Sequence, residues 1–450
     1  MDERDAAAVE RFRELLRIPT VSHADETLID EGPFDAFVAA LPRLYPRTHA
    51  ALEREIVDGH SLLYRWAGAD AADPLVLMAH LDVVPVVSDE WEHGPFDAEI
   101  VGDGAEAAIH ARGAIDDKGA LVAILEAVEQ LVADGYTPAR DVYLSFGHNE
   151  ETAGGGARAI VAALTARGVR PGLVLDEGGA VVEGAVPGVH APTAMVGVAE
   201  RGVMTVLLTA RENGGHASTP PAFPATARLA RAISRIHRRP FPVRIAPPVR
   251  ALFATVAPHA DPPYRWVFGN LGLTGPLLAR VFPRLGAEMN ALVRTTAVVT
   301  ELAGAPGENV LATTARASVN IRLLTGDTVA SAAARIRRIV ADPAVEVEVR
   351  HGSDPSPVSP WRGEPWRRLA TAVAAALPAP GGAQIITAPY IQLGASDSRW
   401  FTAISDHVYR FTPFHLTRAE RDALHSHNER IRVAVWLRGI GFYRALITAS

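Results

Sequence analysis

The chain contains no cysteine, which excludes disulfide bridges and thiolate metal sites together. Any bound metal must therefore rest on histidine and carboxylates. A positive charge excess is also missing, since 44 lysines and arginines face 51 aspartates and glutamates for a formal charge of -7. Electrostatics thus gives no case for nucleic acid or an anionic membrane as partner. No run of about 18 apolar residues occurs, so no membrane span is expected. The acidic start Met1-Asp2-Glu3-Arg4-Asp5 lacks an apolar signal core and reads as cytoplasmic. What is present, 48% hydrophobic and 21% charged residues, is ordinary for a globular protein. At 450 residues the chain exceeds the roughly 250–300 over which one core keeps growing, so at least two domains are expected.

Helices are predicted over 6–16 and 33–41 from their apolar spacing, then strands over 50–56, 61–66 and 75–79. A helix over 118–132, a strand over 141–147, a helix opened by Gly154-Gly155-Gly156 and running to about Ala166, and a strand over 173–176 follow. Strands alternating with helices, each strand ending in polar residues, indicate an α/β domain with its site at the strand ends. From about Ala199 the texture changes. Strands over 203–210, 295–302, 315–323 and 345–350, with helices over 224–237 and 329–340, make a smaller α+β insert. The apolar stretch 266–293 reads as insert helices packing on one another, with accommodation of a fatty acyl chain as the lesser reading. The Pro-rich segment 354–360 is the linker back. A helix over 366–377, strands around Ile385 and Val408, and a final helix over 431–446 return to the first style.

Five stretches carry candidate chemistry. They are Met78-Ala79-His80-Leu81-Asp82, Arg112-Gly113-Ala114-Ile115-Asp116-Asp117-Lys118-Gly119, Asn149-Glu150-Glu151-Thr152, Leu175-Asp176-Glu177-Gly178-Gly179 and Leu424-His425-Ser426-His427-Asn428-Glu429. On a strand, His80 and Asp82 share a face, so the aspartate is placed to orient the imidazole. In an extended segment Glu150 and Glu151 diverge, so one can bind metal while the other faces water. Four of the stretches have a bland alternative: a buried ion pair for His80 with Asp82, a helix cap for Asp116-Asp117, a helix start for Glu150-Glu151, a turn for Asp176-Glu177. Their joint occurrence favours a metal site, and two histidines with three or four carboxylates suit zinc.

In this order the stretches resemble the di-zinc metallopeptidase family that includes aminoacylase, acetylornithine deacetylase, succinyl-diaminopimelate desuccinylase and glutamate carboxypeptidase. The resemblance runs from Ile18-Pro19-Thr20-Val21-Ser22 to Arg444. Within the family it is strongest to carboxypeptidase S and the animal N-acyl amino acid synthase/hydrolase, on 175–179, 215–221, 394–399 and 404–413. It implies His80 and Glu177 as ligands of one zinc, Glu151 and His425 as ligands of the other, and Asp116 as the bridge, with a cis peptide before Asp117. Cobalt or manganese could substitute. Asp176 stays an alternative to Glu177, and His427 competes with His425, whose four-residue spacing to Glu429 matches the family. The resemblance also implies Glu150 as general base and Asp82 as the orienter of His80.

By the same resemblance, residues 1–198 and 353–450 form an α/β catalytic domain, a mixed sheet flanked by helices, and 199–352 an inserted α+β lid and dimerisation domain. His216 matches a lid residue that steadies the oxyanion in a neighbouring subunit, which implies a homodimer. Asn309 and Arg322 match a lid pair that binds substrate, and Arg399 and Ser396 line the pocket from the catalytic side. The expected function is cleavage of an amide bond next to a free carboxylate, in an N-acyl amino acid or a short peptide. A dipeptidase or small-acyl deacylase, an enzyme that also condenses fatty acid with amino acid, and a metal-binding scaffold without turnover are the alternatives.

Overall fold

The computed structural model describes residues 1–377 and 385–449. Helix α1 (Glu3–Leu16) starts where the Asp2 carboxylate accepts from the Asp5 N–H, and it buries Val9, Phe12, Leu15 and Leu16, the stripe its 3.6-residue spacing dictates. Helix α2 (Glu31–Leu44) is capped likewise by Asp30. The strand expected from residue 50 begins later, at Glu53. Pro46 at the first helical turn starts a short α3 (Pro46–Ala51) instead, because proline is pre-set for that position. Thr48 is then drawn to the buried Glu129, which accepts from its backbone N–H at 2.7 Å and its hydroxyl at 2.8 Å.

Strands β1 (Glu53–Asp58), β2 (Ser61–Trp66) and β3 (Asp70–His80) follow, then the short β4 (Glu99–Val101) and β5 (Ala108–His110). Helix α4 (Lys118–Ala133), β6 (Arg140–Gly147), α5 (Gly156–Ala166), β7 (Leu173–Val182) and β8 (Thr193–Glu200) complete the first half. The chain then leaves through β9 (Gly202–Arg211), β10 (Gly215–His216), α6 (Ala225–Arg238) and four helices, α7 (Pro247–Val256), α8 (Pro262–Gly269), α9 (Leu271–Val281) and α10 (Ala287–Val293). Strands β11 (Thr296–Ala303), β12 (Val310–Leu311) and β13 (Thr314–Leu323), helix α11 (Val329–Val340) and β14 (Val345–Ser353) end the excursion. Helix α12 (Glu364–Ala376), β15 (Ile386–Gln392), β16 (Val408–His415), α13 (Arg418–Asp422), β17 (Arg430–Arg432) and α14 (Val433–Thr448) close the chain.

Eight strands form the main sheet in the order β1-β2-β6-β3-β7-β16-β8-β15. At its centre β3 runs parallel to β6 and β7, and β16 parallel to β7. Helices cover both faces, so β6, β7 and β3 from Pro74 onward are largely buried, as parallel strands require. The C-terminal ends of these parallel neighbours therefore open together, where ligands meet an α/β sheet.

The smaller sheet, β11-β13-β9-β14, is antiparallel. Strand β13 alternates buried and half-exposed residues along its length, and α6 and α11 cover the buried face with Leu229, Ile236, Ile336 and Ile339. This is the mixed α/β architecture with an additional α+β unit that the resemblance implies. Apolar packing does not follow the division at 199 and 352 throughout, however. Helices α7 to α10 share their buried side chains with the main sheet's core, and Phe253 packs its ring on Phe268 and Phe282 at 4.8 and 5.0 Å. An apolar face shows in sequence; the surface that receives it does not. Among the described residues no helix is long and apolar enough to cross a membrane.

Candidate metal centre and active site

Asp116 stands between two histidines. Its Oδ1 lies 3.1 Å from His80 Nε2 and its Oδ2 lies 3.0 Å from His425 Nε2. Glu177 Oε1 is 3.9 Å from the first imidazole and Glu151 Oε2 is 3.1 Å from the second. His80, Asp116 and Glu177 thus form one candidate set, and Asp116, Glu151 and His425 another, each with its donor atoms within 4.8 Å of one another. His427 is exposed and belongs to neither set. Asp176 points elsewhere, accepting the Ser398 backbone N–H at 2.8 Å.

Local structure delivers each donor. His80 ends β3, Glu151 follows the end of β6, and Glu177 lies within β7, which runs on to Val182 rather than stopping at Asp176. The peptide between Asp116 and Asp117 is cis, at the entry to α4. His425 and Asn428 adopt left-handed backbone at φ 57° and 59°.

Supporting residues fix these loops. His80 Nδ1 donates to the Asp82 carbonyl at 3.0 Å, with the Asp82 carboxylate 3.3 Å away. That carboxylate also accepts from the Ser22 hydroxyl and from the backbone N–H groups of Glu150 and Glu151 at 2.8, 3.1 and 3.2 Å. Asp82 therefore positions the Glu150-Glu151 segment as well as the imidazole. Glu429 is fully buried and accepts from Arg112 at 2.6 Å and from the backbone N–H groups of Gly113, Ile115 and Asp116. Arg112 in turn donates to the Ser426 carbonyl at 2.7 Å, so this pair ties the Asp116 loop to the His425 loop. In the sequence Glu429 is marked only by its four-residue spacing from His425, because its partners lie more than 300 residues away in the chain.

Charge accumulates accordingly. Burial alone would depress the His80 imidazole, but Asp116, Asp82 and Glu177 outweigh it and raise it well above its ordinary value. Hydrogen bonds to Asp116 and Glu151 raise His425 to about 10. Burial opposes ionisation of Asp116, yet His425 and His80 hold it well below the carboxylate range. Glu150 and Glu177 are pushed well above that range, mainly by burial. Two imidazoles, three carboxylates and no thiol are a nitrogen and oxygen set that fits a zinc-like ion. Glu151 Oε1 fits too, being buried with no hydrogen-bond partner, an arrangement costly unless something polar meets it.

The remaining residues fall into three groups. Ser396 is buried and bonded to Glu200 and Ser398. His216 and Asn309 neighbour each other on the exposed β10–β12 ribbon, where Asn309 accepts the Ala217 N–H at 3.0 Å and His216 contacts Ser218. Arg322 sits half-buried on β13, close enough to Arg399 that the second cation, after burial, lowers the pKa of the first.

The chain is 33% identical over 448 residues to the N-fatty-acyl-amino acid synthase/hydrolase PM20D1 of Xenopus tropicalis, covering 98% of this chain and 85% of that protein. It is 31% identical to the probable carboxypeptidase S-like 2 of Dictyostelium discoideum, again over 98% and 85%. The fold matches the M20 family metallo-carboxypeptidase Sso-CP2 of Sulfolobus solfataricus with a TM-score of 0.72 at 17% identity, over 99% of both chains. The sequence pattern of peptidase family M20/M25/M40 matches residues 76–449, a span that contains both candidate ligand sets. The chain belongs to that family and is a hydrolytic metalloenzyme.

Proposed function

We propose that the protein is a zinc-dependent amidohydrolase that cleaves the amide bond of N-acyl amino acids or short peptides bearing a free carboxylate. The observation that carries this reading is the pair of ligand sets sharing Asp116. His80, Asp116 and Glu177 would hold one ion and Asp116, Glu151 and His425 the other. The ions, when bound, supply Lewis acidity to a carbonyl oxygen and lower the pKa of a water molecule towards about 7. Glu150 is the chain's proton carrier. Burial, reinforced by Asp397, Glu151 and Asp82, raises its affinity for a proton; as the carboxylate it takes a proton from water, and once protonated it returns that proton to the leaving amine.

Arg322 and Arg399 supply the carboxylate recognition in this reading. Two neighbouring guanidinium groups repel, and a substrate carboxylate between them relieves that repulsion while matching the guanidinium fork. His216 and Asn309, exposed together on the smaller domain, fit a role toward the site of a second subunit in a homodimer, with His216 steadying the oxyanion. Identity to the Xenopus relative favours one further reading, that the same site also runs the condensation of acyl group and amino acid.

The test separates base from ligand. Glu150→Gln should lower turnover of an N-acyl amino acid by about 10²–10⁴-fold while zinc content by elemental analysis stays at the wild-type level. Loss of zinc in that variant would mean that Glu150 is a ligand and not the base.

A further inference from the structure

Helices α8 and α9 leave an apolar face in solvent. Leu273 and Leu277 stand one turn apart on α9, 78% and 62% exposed, and Trp266 of α8 is 60% exposed. Leu285, just past α9, is exposed as well. The inner positions of the same helices, Phe268, Leu271 and Leu278, already join the main core, so folding does not require the outer side chains. Large apolar residues exposed singly need no explanation, but several gathered on one segment mark a contact surface.

Charge decides what covers this surface. Residues 262–287 contain Arg265, Arg280 and Arg284 and no aspartate or glutamate, although acids outnumber bases in the chain as a whole. Net charge is a sum over the molecule and does not register such a local excess. Arg280 donates to the Pro276 carbonyl at 3.3 Å and Arg284 to the Arg280 carbonyl at 2.6 Å, so both guanidinium groups reach back along α9 towards Leu277. Among the described residues none of these three arginines pairs with a carboxylate. Arg280 and Arg284 also line an open hollow together with Arg294, whose Nε is buried without a hydrogen-bond partner. The rest of its wall is proline, alanine and valine. Three guanidinium groups without acids suit phosphate, and a tryptophan with leucines beside them suits the boundary between headgroups and hydrocarbon. A second copy of the chain, meeting this face across a two-fold axis, would set the arginines against their own equivalents. We infer that the outer face of α8 and α9 docks on an anionic lipid surface, with Trp266, Leu273 and Leu277 entering its apolar boundary and Arg280, Arg284 and Arg294 taking lipid phosphates. This docking goes beyond the amidohydrolase reading and does not depend on it.

The experiment is co-sedimentation of the zinc-reconstituted full chain with vesicles of phosphatidylcholine, alone or with phosphatidylglycerol added. Expected is binding about tenfold or more tighter to the anionic vesicles, weakened by raised salt. Each arginine held at an anionic surface is worth about fivefold in affinity, so Arg280→Glu combined with Arg284→Glu should weaken binding by about twentyfold or more. Leu273→Asp combined with Leu277→Asp should weaken it by about tenfold or more, because charge is costly at the apolar boundary. All four side chains are exposed, so both double variants should keep the wild-type unfolding temperature and zinc content. No binding to either vesicle, equal binding to both, or binding unchanged in either double variant would overturn the docking surface. A wild-type dimer that dissociates in Leu273→Asp with Leu277→Asp, while vesicles hold no protein, would overturn it too and assign the face to a second copy.

Discussion

Among single residues, Glu429 carries the most structural consequence outside the ligands. One buried carboxylate receives the Arg112 guanidinium and the loop N–H groups of Gly113, Ile115 and Asp116, so the Asp116 loop has its shape through it. Truncating one partner of a buried, hydrogen-bonded pair costs about 3–5 kcal/mol because the other charge is left uncompensated. Residues that orient ligands typically contribute about 10–100-fold to metal affinity. Glu429→Ala is therefore expected to weaken zinc by that factor in competition with a chelator and to lower urea stability by about 3–5 kcal/mol. An unchanged competition curve would show that the loop is held by other contacts. Asp82 works similarly on the opposite side, where one side chain serves Ser22, His80 and two backbone amides.

At the scale of elements, the loop from Arg112 to Asp117 and helix α4 are coupled through a residue with no side chain. A Cβ on Gly119 would lie 2.3 Å from the Ala114 carbonyl oxygen, and the Gly119 carbonyl accepts Trp436 Nε1 at 2.9 Å. Gly119→Ala must push the helix off the loop. It is expected to cost about 1–3 kcal/mol, as overpacking does, and to reduce zinc occupancy as well; retention of full occupancy would mean that the loop tolerates the shift. The sequence made the elements legible where periodicity was strong, as for the strand at 61–66 and the helix at 329–340, whose observed bounds agree. The five motif stretches were legible because each compresses its chemistry into a few consecutive residues. Three-dimensional partners were not. The Arg112–Glu429 pair, the turning of Ser396 towards Glu200, and the docking of α7 to α10 on the main sheet join residues far apart in sequence, and side-chain spacing reports a face without its counterpart.

For the molecule as a whole, the ligand cluster sets how stability responds to pH and metal. In the protein stripped of metal, His80 and His425 are raised and so are Glu150, Glu177 and Asp117, the carboxyls chiefly by burial. These groups bind more protons in the folded chain than in the unfolded one, so their contribution to stability falls as pH rises, while burial lowers Lys118 to about 7 and opposes them in part. For His425 the contribution is fully present below its ordinary value near 6.5 and is lost as pH climbs towards about 10. Zinc needs those same groups deprotonated, so its binding strengthens with pH and stabilises the fold by mass action. Thermal unfolding should therefore show the stripped protein losing stability between pH 6.5 and 9 and the zinc-loaded protein resisting that loss. Parallel profiles would place the metal elsewhere.

The most direct test is the metal content of wild-type protein and of Asp116→Ala after equilibration with zinc and gel filtration. With Asp116 shared between His80 and His425, the account predicts about two ions per wild-type chain and loss of both in the variant, since a bridging carboxylate serves each member of a two-metal site. One ion per wild-type chain, or wild-type content in Asp116→Ala, would contradict the shared site on which the proposed chemistry rests.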